Sequence, residues 1–194
     1  MIERLVLQIV GENRSGKSTS CRHLAEKYGF TVILVSDIIR SFAEMKDHVL
    51  SDRADYSRTH HLMKQELGND IIAATILEAD GDRLAVDGLR VPADVARLKS
   101  AKGVLSKVVA LHCPQDIRFG RALSMGSLLD PDTFTKFAED DRLESRHKDP
   151  ERQNVSQVMR EADYHIDSTR PIEEVCGNLD TIVASNLEQL AEIL

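Results

Sequence analysis

The chain has 194 residues, a formal net charge of −7, 42% apolar and 29% charged side chains, and seven scattered histidines. That length suffices for one compact core of strands and flanking helices, no apolar run approaches the ~20 residues of a membrane span, and the acidic balance disfavours an extended nucleic-acid surface. Cys21, Cys113 and Cys176 are odd in number and far apart, so neither a disulfide framework nor a zinc site is expected. The start of the chain carries no leader pattern, which makes a cytoplasmic protein the expectation.

Arg4 to Val10 is a short apolar run closed by Gly11, as expected of a strand covered on both faces. From Ser18 the residues Cys21, Leu24, Ala25 and Tyr28 recur at helical spacing until Gly29 stops them. Thr31 to Val35 is β-branched and predicts a second strand, after which Ser36 or Asp37 is expected to cap a helix starting at Ile38. A longer helix is predicted over about 58–79, with Gly68 as a possible break costing about 1 kcal/mol of helix propensity. Arg83 to Asp87 reads as the third strand, Val104 to Cys113 contains the fourth, and Tyr164 to Ile166 is a short fifth. Helices are predicted near 92–101, after Pro114, and over about 171–193 with Ile172, Val175, Leu179 and Ile182 inward. Strands alternating with helices predict a three-layer α/β fold, a five-stranded parallel sheet flanked by helices, over a single domain spanning 1–194. The polar stretch 144–154 offers no core residue and is expected to be exposed and mobile.

Gly11-Glu12-Asn13-Arg14-Ser15-Gly16-Lys17-Ser18 matches the phosphate-cradling pattern G-x-x-x-x-G-K-[ST] in full, with Thr19 following, and it lies between a predicted strand and helix. Two glycines let backbone N–H groups approach phosphate oxygens, and the helix start adds its positive dipole end. Lys17 is expected to bridge the β- and γ-phosphates and Ser18 to ligate Mg²⁺. ATP and Mg²⁺ are therefore the expected cofactors. Asp87 ends a strand where a second carboxylate can hold Mg²⁺, and Arg90 can reach the same crevice. Asp37 and Arg40 stand one helical turn apart after the second strand, either facing that crevice or serving as a cap and a surface charge.

With these residues in place the chain resembles the nucleoside monophosphate kinase-like P-loop proteins, adenylate kinase-like and dephospho-CoA kinase-like, on three motifs. They are the loop at 11–18, Ser36-Asp37-Ile38-Ile39-Arg40 and Asp87-Gly88-Leu89-Arg90. The resemblance implies an ATP-dependent kinase acting on a nucleotide or other small phosphorylated acceptor. Asp37, Arg40 and Arg90 would then form the acceptor site, and Asp87 would lie near the metal. Lys17, Arg118, Arg121 and Arg142 are the candidates to spread transition-state charge, and Asp37 or Asp87 to take a proton from an acceptor hydroxyl. A lid insertion is expected near 124–154, as a helical arm starting at Asp130-Pro131 with Phe134, Phe137 and Ala138 inward and Arg142 and Arg146 facing the phosphates. The chain departs from the group by Ser124-Met125-Gly126-Ser127 and Asp140-Asp141, where arginines are usual. The alternative is a regulatory ATPase that passes phosphate only to water. A guanine-specific switch is disfavoured because N-K-x-D is missing.

Overall fold

The computed structural model describes residues 3–126, 133–145, 149 and 151–193. Five strands, β1 (Arg4–Val10), β2 (Thr31–Leu34), β3 (Arg83–Asp87), β4 (Val104–His112) and β5 (Tyr164–Asp167), form one sheet in the order β2-β3-β1-β4-β5. All four pairings are parallel, and helices cover both faces.

Alternation along β1 divides the core. Leu5, Leu7 and Ile9 point to one face and pack with α1 (Lys17–Tyr28) and α9 (Ile172–Ile193) through Leu24, Val175 and Leu179. Val6 points to the other face, against α2 (Val35–Met45), α3 (Arg53–Leu67), α4 (Ile71–Glu78) and α5 (Pro92–Lys99). Val10, Val108 and Ala110 meet α8 (Val155–Arg160) there. Each such buried Leu or Val contributes about 1.5–3 kcal/mol, against about 0–1 kcal/mol for an exposed ion pair, so the two sheet faces carry the stability. The α1 and α9 layer is also pinned by Asp180, which accepts from Lys27, His23 and Tyr28. Burial pushes the Asp180 carboxyl up, but those three donors outweigh it and hold the pKa at about 2.

Several boundaries differ from the expectations. The 58–79 helix is two helices broken at Gly68, and α3 starts earlier because Asp52 and Asp55 form a reciprocal capping box. Helix α2 begins at Val35 without a side-chain cap, so Ser36 and Asp37 lie inside its first turn. Ile172 is 47% exposed rather than inward, because it sits on the rim of a cavity above the sheet. Helix α6 (Gln115–Met125) follows Pro114 as expected, and α7 (Phe134–Ser145) is the arm foreseen in the lid segment. Its expected start at Asp130-Pro131, and Ser127 and Arg146, lie outside the described residues. Phe137 is buried and Ala138 partly so, whereas Phe134 is 46% exposed and reaches only the edge of Phe119.

The described residues of the polar stretch, 144, 145, 149 and 151–154, include charged side chains held by ion pairs instead of apolar packing, which hydropathy cannot register. Glu144 is buried, and Glu151 accepts from Lys64 and Arg97, which also bind Asp94. The Asn154 amide donates to the Arg90 carbonyl. Hydrogen bonds from Arg97, partly opposed by burial and reinforced by Lys64, lower the Glu151 pKa from 4.5 to about 2. A depressed carboxylate stabilises the fold fully above its unfolded pKa and loses that effect as pH falls through the folded value. The Glu151→Gln variant is therefore expected to melt below wild type at neutral pH, by about 1–2 kcal/mol after discounting for solvent screening of a side chain one-third exposed. The gap should close between pH 4.5 and about 2. A constant gap across that window in thermal melts would show that Glu151 acts through packing alone.

Candidate active site

Strand β1 delivers the chain to the phosphate loop at the centre of the sheet's carboxyl edge. A Cβ on Gly11 would lie 2.4 Å from Ser15 Oγ and 2.9 Å from the Leu111 carbonyl, so the loop closes only around glycine. Gly16 turns the backbone at φ 101° and α1 starts immediately, which aims its free N–H groups into the loop. Ser15 Oγ is buried there without a hydrogen-bond partner among the described residues.

The register pairing Ile9 with Asp87 brings the end of β3 beside the loop. Ser18 Oγ donates to Asp87 Oδ2 at 2.7 Å. These are two adjacent hard oxygen donors, fitting a Mg²⁺ that keeps waters and phosphate oxygens as its other ligands. The Lys17 ammonium donates to the Glu12 carbonyl at 3.0 Å. Loss of hydration lowers its pKa, Asp87 and Glu144 pull it up, and Arg90 and Arg53 push it down.

Two cavities open from this centre. The first, 730 Å³, runs over Asn13 to Ser20 of the loop and α1, between Ile117, Arg121 and Met125 of α6 and Ser168, Arg170 and Ile172 near the start of α9. The second, 240 Å³, is lined by Arg40, Arg53, Tyr56 and Arg90, with His60 and Asp94 in its wall. Both share Asn13, Ser18, Asp87 and Arg90. Of the expected site residues, Asn13, Arg14, Ser15, Gly16, Lys17, Ser18, Thr19, Asp87, Arg40 and Arg90 line one cavity or both, while Gly11 and Glu12 support the loop from outside.

Asp37, Arg118 and Arg142 line neither cavity. Asp37 accepts from Arg40 Nη1 at 2.5 Å on an exposed face, and Arg40 Nη2 also donates to the Tyr56 hydroxyl. Arg142 is exposed on α7. Arg118 is 3% exposed: it makes a two-pronged pair with Asp141 of α7, donates to the Asn13 and Cys113 carbonyls, and stacks over Phe137. Arg121 donates to the Arg14 carbonyl and the Ser168 carbonyl. Both α6 arginines thus hold the phosphate loop by its backbone.

Arg53 and Glu144 were missed by the sequence reading. Arg53 opens α3 next to the capping Asp52, and nothing local marks it as a site residue. Glu144 pairs closely with Arg90 and lies 3.5 Å from Arg53, a contact between three distant segments.

The AAA_17 family model, described as an AAA domain, matches residues 11–162. The chain belongs to that family. The match begins at the first glycine of the phosphate loop and runs to Ala162, two residues before β5 opens, so it contains the loop and the Asp87–Arg90 segment that the two cavities share. A UPF0200/UPF0201 protein of Archaeoglobus fulgidus is 27% identical over 97% of this chain, which spans 58% of that protein's length. A UPF0200 protein of Thermococcus onnurineus is 27% identical over 95% of this chain and 100% of its own. Solved structures of the same fold include shikimate kinase from Acinetobacter baumannii, with a TM-score of 0.56 at 18% identity over 95% of this chain and 96% of that one. A gluconokinase from Sinorhizobium meliloti gives 0.52 at 16% identity over 98% and 97%. TT1252 from Thermus thermophilus gives 0.61 at 14% over 94% and 98%. The fold is that of the P-loop kinases, as the motif resemblance implied.

Proposed function

We propose that this chain is a cytoplasmic, ATP- and Mg²⁺-dependent small-molecule kinase that transfers the γ-phosphoryl group to a nucleotide or other small phosphorylated acceptor. The observation that carries the reading is the meeting of two cavities at Asn13, Ser18, Asp87 and Arg90. The larger cavity takes the triphosphate, with its phosphates on the loop and its base between Arg121 and Ile172. The smaller takes the acceptor against Arg40 and Arg90. A regulatory ATPase that gives phosphate to water has no use for a second, arginine-lined cavity, which favours the kinase over that alternative. The fold shared with shikimate kinase and gluconokinase adds support.

In this reading the bond between the γ-phosphorus and the β–γ bridging oxygen breaks, and a bond to an acceptor oxygen forms. Ser18 and Asp87 would hold Mg²⁺, which would supply charge neutralisation for the phosphates. Lys17 exchanges its bond to the Glu12 carbonyl for phosphate oxygens. Arg90, common to both cavities, draws the acceptor's anion toward the transfer point. Where the acceptor oxygen belongs to a hydroxyl, its proton passes to Asp87; a phosphate oxyanion carries none. Arg118 and Arg121 keep the loop's carbonyls turned away from the incoming phosphates.

The test is ADP release measured with and without a panel of nucleoside monophosphates, dephospho-CoA and polyol phosphates. Release that depends on an added acceptor supports the kinase, and acceptor-independent release removes it. With an acceptor in hand, Arg40→Ala is expected to raise its KM tenfold or more, since a charged contact to phosphate is commonly worth about 1.5–3 kcal/mol. The KM for ATP should stay within about twofold, because Arg40 lines only the smaller cavity. Equal changes in both constants would place Arg40 in a shared structural network.

A further inference from the structure

Glu144 is a buried carboxylate whose Oε1 serves two guanidinium groups at once, Arg90 in a close pair and Arg53 at 3.5 Å. Both arginines line the smaller cavity, and Glu144 comes from α7, whose only buried apolar side chain is Phe137. Three residues earlier on α7, Asp141 pairs with Arg118 and through it reaches the Asn13 carbonyl of the phosphate loop. The guanidinium groups that hold this carboxylate beside the cavity are equally suited to the oxyanion of a ligand.

We propose that Glu144 is a built-in occupant of the Arg53–Arg90 anion site, displaced by the carboxylate or phosphate oxygen of the acceptor. The proposal rests on the smaller cavity being the acceptor's. It adds Arg53 as a residue that selects for an oxyanion and couples acceptor binding to movement of α7. Glu144 sets a negative charge against both guanidinium groups and offsets their mutual repulsion while the cavity is empty. A carboxylate inside protein is itself costly to hold unless both cations stay near. A dianionic phosphate outbids a single carboxylate for the same pair, and Glu144 then moves to solvent as α7 swings on the Asp141–Arg118 contact.

The experiment measures binding of orthophosphate, and of acetate in a second arm, to the full chain with Mg²⁺ and a nonhydrolysable ATP analogue saturating the phosphate loop. Glu144→Gln keeps the shape of the side chain and removes its charge. It is expected to bind orthophosphate at least tenfold more tightly than wild type, and adding Arg53→Ala should cancel the gain. A gain for orthophosphate alone assigns a phosphate-bearing acceptor, and one for acetate alone a carboxylate-bearing one. In wild type, orthophosphate should speed amide exchange over residues 134–145. Should Glu144→Gln fold poorly, Glu144→Asp, which withdraws the charge by one methylene, is expected to give a smaller gain of the same sign. Unchanged or weaker anion binding in these variants overturns the proposal. Acceptor-dependent ADP release is scored separately. Transfer with unchanged anion affinity removes the Glu144 proposal and keeps the kinase; tightened anion affinity without any transfer does the reverse.

Discussion

Lys17→Ala is expected to lower turnover by about 10²–10³-fold or more while the thermal midpoint stays close to wild type. The magnitude is that of removing one preorganised donor aimed at developing charge in a water-poor site. Lys17 is well placed for such an effect because the loop removes part of its hydration, which lowers its pKa. Its one hydrogen bond, to the Glu12 carbonyl, is within the loop and exchangeable for phosphate oxygens. Stability should change by no more than about 0.5 kcal/mol, because the side chain is partly exposed and joins no apolar cluster. A coupled assay for ADP together with a thermal melt gives both numbers. A folded variant turning over at the wild-type rate would remove every reading in which the loop's lysine meets phosphate.

Arg118→Ala is expected to show the opposite balance, losing about 3–5 kcal/mol of stability. The arginine and Asp141 form a buried two-pronged pair, at 3.1 and 2.6 Å, and deleting one partner strands the other's charge. The double variant Arg118→Met, Asp141→Leu removes both charges and should recover much of that loss. Turnover should fall in both variants, because the Asn13 carbonyl loses its donor in each. A drop in turnover with unchanged stability in Arg118→Ala would instead assign the guanidinium to the phosphates directly.

The phosphate loop was legible because its chemistry is local. Two glycines, a lysine and a hydroxyl must be contiguous to wrap a phosphate, so they leave a contiguous signature at 11–18. The sheet was legible for a related reason: the central strands β1, β3 and β4 are largely apolar and buried on both faces, and the sheet order, with β1 between β3 and β4, required the structure. Asp87 and Arg90, at and just after the end of β3, line both cavities, the position where open α/β sheets bind ligands. Arg53, Glu144 and Asp141 could not be found that way. Their roles come from ion pairs between α3, the segment after β3, α6 and α7, and a charged residue on a polar helix looks the same whether it faces solvent or a buried partner. Asp37 shows the converse case. It follows a strand as a site residue would, yet α2 starts three residues earlier than expected and turns its carboxylate outward onto Arg40.

The way α7 is fastened sets which forces can loosen it. Of its hydrophobic residues only Phe137 is buried, and much of its attachment among the described residues is polar, with Asp141 and Glu144 paired to arginines of the body and Gln115 donating to Asp141. Detaching such a helix uncovers little apolar surface, so its opening carries a small heat-capacity change and a shallow dependence on denaturant. Warming and urea act through exposed area and have little purchase on it below the global melt. On the proposed displacement of Glu144, small anions in the surrounding solution compete for the arginines themselves and are expected to loosen that helix where warming and urea do not.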